Sequence, residues 1–324
     1  MLTMPALIRQ WLSVKKITIC ESSYETYRIT AESQVIPYFE KLNLPVQKIT
    51  ATNVQEYFAY LAESGFKAST APKHKSIIRA SFEYAIDTLG IIDKNPADKI
   101  KTAKRTKRIP SFYTEEQLQA LFAAMEGAPI EAVTHLAAVF GLRRCEALGL
   151  KWSAIDWKRK TITVKHTAVR VGSAVKLDDT VKEQASYRTL PLIKDMQIYL
   201  KKLYAHQRQM KALFGNCYND NDYICKQDDG TLFDPNFVAK KFGSILKSKN
   251  LPKIRFHDLR HSSASLLINN GFSIKEVQEW LGHADIASTE IYAHLLYKSK
   301  ENMAAKIGSL LFGSSEDASA EESA

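Results

Sequence analysis

The sequence predicts a mainly helical protein with a small antiparallel sheet, an α+β fold class, arranged as two domains. Three observations support this prediction. The length of 324 residues exceeds what one ordinary domain uses. Apolar residues recur at helical spacing over most of the chain, whereas strand-like alternation is confined to residues 161–171 and 186–193. A basic stretch without apolar periodicity, residues 99–111, separates two regions of helical pattern.

Residues 1–98 are predicted to form a helical domain. Helical periodicity covers residues 22–42, 52–63 and 70–89, and turn signals separate these segments. The third segment begins with three bases, Lys73, Lys75 and Arg79. A basic helix start suits contact with a DNA groove or with phosphates, and an ordinary solvated face is the alternative.

Residues 99–111 are predicted to be an extended linker between the domains. Six bases lie within ten positions before Pro110: Lys99, Lys101, Lys104, Arg105, Lys107 and Arg108. The stretch is either a solvated hinge or a basic strap that follows DNA phosphates. We favour the strap, because the stretch joins two domains of a basic chain, and we take Lys104, Arg105, Lys107 and Arg108 as DNA-binding candidates.

Residues 112–312 are predicted to form the second domain. Thr114 and Gln117 have the spacing of a capping box, which starts a helical region that runs to Phe140. The two strand-like stretches follow and supply the small sheet. Further helices are predicted over residues 194–212, 235–248, 257–270, 274–281 and 288–297.

The end of the chain has two features of its own. Residues 302–312 carry an apolar stripe of Met303, Ile307, Leu310 and Leu311. The stripe predicts an amphipathic helix that either docks on a neighbouring protomer or packs within its own chain. Residues 313–324 are acidic and rich in Ser and Ala, so they are predicted to be a disordered tail.

The composition limits the class of protein. The net charge is +10, and the last nine residues hold four acidic residues and no base, so the rest carries +14. Such an excess favours a polyanion, either nucleic acid or an anionic membrane surface, as partner. The apolar runs are too short for a membrane-spanning helix. The four cysteines lack close pairing, which predicts free thiols and a cytoplasmic protein.

One short motif in the second domain has the chemistry to bind an anion. His257, Arg260, His261 and Ala264 are spaced to share one helix face. A guanidinium beside imidazoles suits a phosphate, because arginine binds phosphate in a bidentate manner. Two histidines could also hold zinc, but Asp258 follows His257 where a metalloprotease helix has Glu, and an arginine one turn away would repel a dication.

A second motif places a histidine and a tyrosine close together. Ser273 and Glu276 form a capping box, and Gly282 is predicted to end the helix in the left-handed conformation. His283 follows directly on the turn, and Tyr292 lies nine residues further on. A lone tyrosine on such a helix is usually a core or surface residue, so a functional role for Tyr292 depends on the motifs that accompany it.

The order of these motifs resembles the tyrosine recombinase family of the phage-integrase type. The resemblance rests on Arg143, Lys182, His257-x-x-Arg260, Leu-Gly-His283 and Tyr292, and it covers about residues 8–310. It implies that the first domain is a helical core-type DNA-binding domain and that the second is the catalytic domain. It also implies a site-specific recombinase that integrates or excises a phage or conjugative element through a 3′-phosphotyrosyl intermediate.

The resemblance assigns a role to each matching residue. Tyr292 would be the nucleophile that attacks a DNA phosphate, and Lys182 would protonate the 5′-oxygen that leaves. Glu146 would be a supporting residue that fixes Arg143 or His257.

The remaining matching residues would act on the phosphate. Arg143 and Arg260 would hold its nonbridging oxygens, while His257 and His283 would add hydrogen bonds and proton transfer. Arg144 adjoins Arg143 and competes with it for this role, but the spacing to Glu146 favours Arg143.

The chemistry agrees with these roles. A tyrosine has a pKa of about 10, and nearby cations lower it and stabilise the charge of the transition state. The covalent intermediate conserves the phosphodiester energy, so we expect no metal, no ATP and no other cofactor. The expected partner is a double-stranded DNA recombination site, occupied by four protomers when two sites recombine. No membrane partner is expected.

Three alternatives remain at this point. An Xer-like chromosome-dimer resolvase belongs to the same family. A metal-dependent nuclease using His257, His261 and His283 is a different class, and it predicts loss of activity with a chelator. A DNA-binding protein without catalysis is disfavoured, because every catalytic position is filled.

Overall fold

The computed structural model describes residues 1–102, 111–172, 174–178 and 187–282, together with residues 304, 307–309 and 311. The chain divides into two compact units. The first consists of Met1–Arg108 with Val171–Ser173, and the second of Ile109–Arg170 with Ala174–Ala324. The division at residue 108 falls within the predicted linker.

The first unit is a helical bundle. Its α-helices are α1 (Met4–Thr18), α2 (Glu21–Thr30), α3 (Ile36–Leu42), α4 (Ala51–Glu63) and α5 (Ala71–Asp87). Apolar side chains of α1 face those of α3 and α5, and those from Leu7, Ile36, Phe39, Ile78 and Phe82 are almost fully buried. The bundle therefore owes its stability to amphipathic faces that pack together.

The predicted helix over residues 22–42 is interrupted. A π-helical turn, Ala31–Val35, separates α2 from α3. Pro37 lies two residues after this turn, and its missing N–H and its ring interrupt the regular ladder of hydrogen bonds at this point.

The second unit surrounds its own apolar core with seven α-helices among the described residues. They are α6 (Glu115–Met125), α7 (Glu131–Val139), α8 (Arg144–Leu148), α9 (Lys194–Phe214), α10 (Pro235–Ser248), α11 (Asp258–Asn269) and α12 (Ile274–Leu281). The predicted bounds of α10 and α12 are confirmed. The capping boxes of Thr114 at α6 and Ser273 at α12 are also confirmed.

The strands of the second unit form two small antiparallel sheets. They are β1 (Ile155–Asp156), β2 (Thr161–Val164), β3 (Thr167–Val171), β4 (Ala174–Asp178) and β5 (Arg188–Pro191). The first sheet has the order β1-β2-β5, and β3 pairs with β4 in the second. The single strand predicted over residues 161–171 is thus two strands. In the first sheet Val164 lies opposite Arg188, and both side chains are buried.

Three further predictions can be compared with the described residues. The four cysteines are free thiols. No described helix combines the length and the apolar character needed to cross a membrane. In the C-terminal region residues 307–309 are helical, and Ile307 and Leu311 are 55% and 72% exposed.

Candidate active site

A tight turn after α7 begins the site. Gly141 has a φ of 61°, and a Cβ at this position would lie 2.1 Å from the Leu281 side chain, so only glycine fits. The turn leads into α8, where the backbone N–H of Arg143 donates to Glu146 Oε2 at 3.0 Å. Glu146 thus caps the start of its own helix and lies beside the first residue of the predicted site.

Glu146 is a buried carboxylate surrounded by three guanidinium groups. Arg143 Nη1 donates to its Oε1 at 2.6 Å, and Arg188 Nη2 donates to its Oε2 at 3.1 Å. Arg260 Nη1 lies 4.0 Å from Oε2. We call these four residues the Glu146 cluster. The residues come from α8, β5 and α11, so the fold joins three separate parts of the sequence here.

The charges of the Glu146 cluster keep the carboxylate ionised. Burial alone would raise the pKa of Glu146, but the positive charge of Arg188 and the hydrogen bonds and charge of Arg143 outweigh it, so the pKa is lowered. An ionised Glu146 fixes the Arg143 guanidinium, whose side chain is still 31% exposed. Arg143 is therefore held in place and can still meet a ligand from solvent.

Arg260 is fixed by backbone carbonyls. Its Nη1 donates to Gly141 O at 2.6 Å, and its Nη2 donates to Leu281 O at 2.7 Å. The residue is only 2% exposed. These bonds set the plane of the guanidinium and tie α11 to the turn before α8 and to the end of α12.

His257 and His261 lie together at the start of α11. Their rings are 5.6 Å apart and perpendicular. Burial, with the charge of Arg260 as a further contribution, lowers the pKa of His257. Burial likewise lowers the pKa of His261, and His257 adds to the effect. A neutral imidazole can accept one proton and donate another, which suits His257 for proton transfer.

The structure brings together four of the residues named from the sequence: Arg143, Glu146, His257 and Arg260. The pairing of Glu146 with Arg143 also distinguishes Arg143 from its neighbour Arg144. Lys182, His283 and Tyr292 lie outside the described residues. Among the described residues, no group of three or more His, Cys, Asp or Glu side chains is arranged to hold a metal ion.

Sequence reasoning missed the fourth member of the Glu146 cluster, Arg188. The signal that could have found it is the alternation of residues 186–193. Arg188 shares its parity with Leu190 and Leu192, which are buried, so the same alternation places Arg188 on the inward face. A charged residue on that face requires a buried partner.

The candidate DNA-binding residues of the first unit differ in their surroundings. Lys73 is exposed. Lys75 Nζ donates to Ile100 O at 2.8 Å, and Arg79 pairs with both Asp98 and Glu83. Lys75 and Arg79 thus hold the segment that follows α5, and Lys73 is the better placed of the three for an external phosphate. Lys104, Arg105, Lys107 and Arg108 lie outside the described residues.

Two family models match this chain over separate ranges of residues. The model of the phage integrase family matches residues 111–299, and that of the phage integrase N-terminal SAM-like domain matches residues 3–62. A "Tyrosine recombinase XerC-like" protein of Caldanaerobacter subterraneus subsp. tengcongensis is 28% identical over 81% of this chain and 72% of that protein. The ICEBs1 integrase of Bacillus subtilis is 25% identical over 95% of this chain and 83% of the integrase.

A solved structure shares the fold. The Tn1549 transposon integrase, in complex with a circular intermediate DNA, aligns with a TM-score of 0.74 at 19% identity. The alignment covers 95% of this chain and 100% of the integrase chain.

Proposed function

Because this chain belongs to the phage integrase family of tyrosine recombinases, which break and rejoin DNA strands at specific sites, we propose that the Glu146 cluster is the phosphate-binding part of its active site. The substrate is double-stranded DNA. Tyr292, Lys182 and His283 complete the catalytic set that the sequence resemblance assigns.

One observation supports this assignment above the others. Arg143 and Arg260 are far apart in sequence, yet both guanidiniums lie at the same buried carboxylate. A surface with chance bases would not bury a carboxylate to orient them, because burying an ionised group is costly. The arrangement instead fits a site that must hold positive charge in a fixed geometry for an anion.

The chemical step exchanges one phosphoester bond for another. The Tyr292 oxygen attacks the phosphorus and forms a 3′-phosphotyrosyl bond, while the bond from phosphorus to the 5′-oxygen breaks. Lys182 donates a proton to that oxygen, so the strand leaves with a 5′-hydroxyl group. The reverse step, with a 5′-hydroxyl group from the partner duplex, rejoins the strands and releases Tyr292, so ATP is not consumed.

The Glu146 cluster and His257 have separate parts in this step. Arg143 is exposed enough to meet a nonbridging oxygen directly. Arg260 is buried beside the same carboxylate, so its charge adds to that of Arg143 at the site. The lowered pKa of His257 keeps its ring neutral near pH 7, and it is then able to take up the proton that Tyr292 loses.

We favour a mobile-element integrase over an Xer-like resolvase. Among the relatives, the ICEBs1 integrase matches over a larger share of this chain than the XerC-like protein does. Recombination of two duplexes breaks four strands, one for each tyrosine, so the active assembly is a tetramer of this chain. A plasmid that carries two recombination sites tests both points. Its recombination products distinguish integration and excision from dimer resolution, and crosslinking of the bound protein counts the protomers in the assembly.

The test of the function is capture of the covalent intermediate. A duplex is first selected from a random-sequence pool by binding to the full chain, and it is then nicked so that cleavage is irreversible. The wild-type chain is expected to give an adduct on a denaturing gel, and Tyr292→Phe is expected to bind the duplex and give none. An adduct that persists in Tyr292→Phe would transfer the role to another residue, such as Tyr297.

A chelator distinguishes the nuclease alternative. Cleavage by the phosphotyrosyl route is expected to be unchanged in EDTA, because protein cations stabilise the transition state. Loss of cleavage in EDTA that returns with zinc or magnesium would support the nuclease instead.

A further inference from the structure

Arg188 is a buried cation that the assigned catalytic set does not use. Its side chain is 6% exposed, and Nη2 donates to Glu146 Oε2 at 3.1 Å. It comes from β5, whose outward-facing neighbour Thr189 is exposed. A buried guanidinium needs a compensating charge, and among the described contacts Glu146 supplies it.

The two oxygens of Glu146 have different partners. Oε1 accepts from the Arg143 guanidinium, while Oε2 accepts from the Arg143 backbone N–H and from Arg188. Arg188 therefore engages the oxygen that does not bind the Arg143 side chain. This contact prevents rotation of the carboxylate and keeps Oε1 directed at Arg143.

The charge of the Glu146 cluster also depends on Arg188. Arg143 and Arg260 with one carboxylate sum to a single positive charge, and Arg188 adds a second. In a buried site of low dielectric, this extra charge raises the potential that a phosphate meets. Arg188 contributes this charge from a buried position, whereas Arg143 is the more exposed cation and the one that can meet the phosphate.

We propose that Arg188 is a positioning residue for DNA cleavage, which acts through Glu146 to fix the Arg143 guanidinium and to keep the site positively charged. The proposal rests on the proposed function of the Glu146 cluster. It assigns Arg188 no contact with the DNA. Arg188 is therefore expected to affect the rate of the chemical step, whereas a base that binds DNA phosphates affects the affinity for DNA.

The experiment measures adduct formation in single turnover with the selected, nicked duplex and the full chain. Failure of the wild-type chain to give an adduct would refute the proposed function itself. With that activity in hand, Arg188→Met is expected to slow adduct formation by about 10- to 100-fold, because a small misplacement of a catalytic group costs up to that much. DNA binding measured by gel shift is expected to change less than about threefold, since Arg188 makes no phosphate contact.

A double-variant cycle tests whether Arg188 acts through Glu146. Glu146→Gln removes the charge that Arg188 engages, so adding Arg188→Met to it is expected to slow the reaction by a smaller factor than Arg188→Met does in the wild-type chain. Arg159→Met is the matched control, because Arg159 is a highly exposed base near the same sheet. If the factors by which the two single variants slow adduct formation multiply in the double variant, the proposal is wrong. An Arg188→Met variant that forms the adduct at the wild-type rate would also overturn it.

A pH profile separates positioning from a purely structural role. Without the Arg188 charge, the pKa of Glu146 rises, so Glu146 takes up its proton at a higher pH. As the pH is lowered, Arg188→Met is therefore expected to lose adduct formation at a higher pH than the wild type does. Arg188→Lys restores the charge and is expected to return the profile toward the wild type, and it also provides a test if Arg188→Met does not fold. A lowered melting temperature with an unchanged pH profile would contradict the proposal.

Discussion

The cores of the two units differ in what they bury. Among the described residues, the first unit buries the polar side chains of His74 and Ser81 in an otherwise apolar core. The second buries four charged side chains, Glu146, Arg188, Asp258 and Arg260, along with several hydroxyl groups. The first unit thus keeps its formal charges at or near the surface, whereas the second places charges of both signs inside.

This difference supports the proposal that the chemistry takes place in the second unit. Buried ion pairs add little net stability, because desolvation offsets their attraction. A domain that serves only to bind DNA needs cations at its surface, where phosphates lie. A domain that stabilises a charged transition state needs cations held rigidly away from water. The second unit meets that requirement, and the first does not.

Removal of Glu146 is the strongest way to break this contrast. Glu146→Ala leaves buried arginines without their carboxylate, so we expect a loss of about 3–5 kcal/mol in the free energy of unfolding. Adduct formation should fall more than about 100-fold, because Arg143 loses its anchor. Urea unfolding and single-turnover cleavage measure the two effects. Glu126→Ala, which removes an exposed carboxylate of the same unit, is the control and should change neither.

The parts of the structure that could be predicted from the sequence are those that local signals encode. The capping boxes at Thr114 and Ser273 and the glycine end of α12 depend on neighbours within a few residues, and all three are present. The π-helical turn before Pro37 and the short strand β4 were not predicted. Pro37 is a local signal for the first of these, but the helical periodicity that continues on both sides of it predicts one unbroken helix.

The same distinction applies to the site. Spacing and family resemblance indicated Arg143, His257 and Arg260, because these residues lie within recognisable motifs. Arg188 lies in a strand-like stretch with no motif of its own, and its importance appears only when β5 places it against Glu146. Lys75 is a similar case: it was predicted to contact DNA, but in the structure it donates to the carbonyl of Ile100, which is 25 residues away in the sequence.

Acid should weaken the second unit through His135. Burial between Phe122 and Tyr199 lowers the pKa of His135 to about 4. The unfolded chain binds a proton near pH 6.5 and the folded one does not, so stability is lost as pH falls from about 6.5 to about 4, by up to about 3 kcal/mol.

His135→Gln removes this titration and should flatten the pH dependence of urea unfolding over the same range. Glu131, whose Oε1 lies 4.0 Å from His135 Nδ1, has a raised pKa and acts in the opposite direction. Comparison of the variant with the wild type isolates the histidine. An unchanged slope would show that another group governs the acid response.

The buried pair of the first unit should respond more weakly. The Tyr57 hydroxyl and His74 Nδ1 are hydrogen-bonded at 2.6 Å inside the bundle. Tyr57→Phe leaves His74 without this partner, and we expect a loss of about 1–3 kcal/mol in stability. Hydrogen exchange should report the loss in peptides of the first unit. Tyr60→Phe, at an exposed tyrosine of the same helix, is the control. An equal loss of stability in Tyr60→Phe would show that the buried hydrogen bond is not the cause of the loss in Tyr57→Phe.

The smallest expected effect tests the surface of the first unit. Lys73 is exposed, whereas Lys75 donates to the carbonyl of Ile100. If Lys73 meets a phosphate, Lys73→Gln should weaken DNA binding severalfold and reduce the slope of log affinity against log salt by about 1. Lys75→Gln should chiefly loosen the segment around Ile100, with faster hydrogen exchange there and a smaller change of slope. Lys48→Gln removes an exposed lysine outside α5 and controls for net charge. Equal slopes for the Lys73 and Lys48 variants would mean that the first unit attracts DNA by its total charge, without a specific phosphate contact at the start of α5.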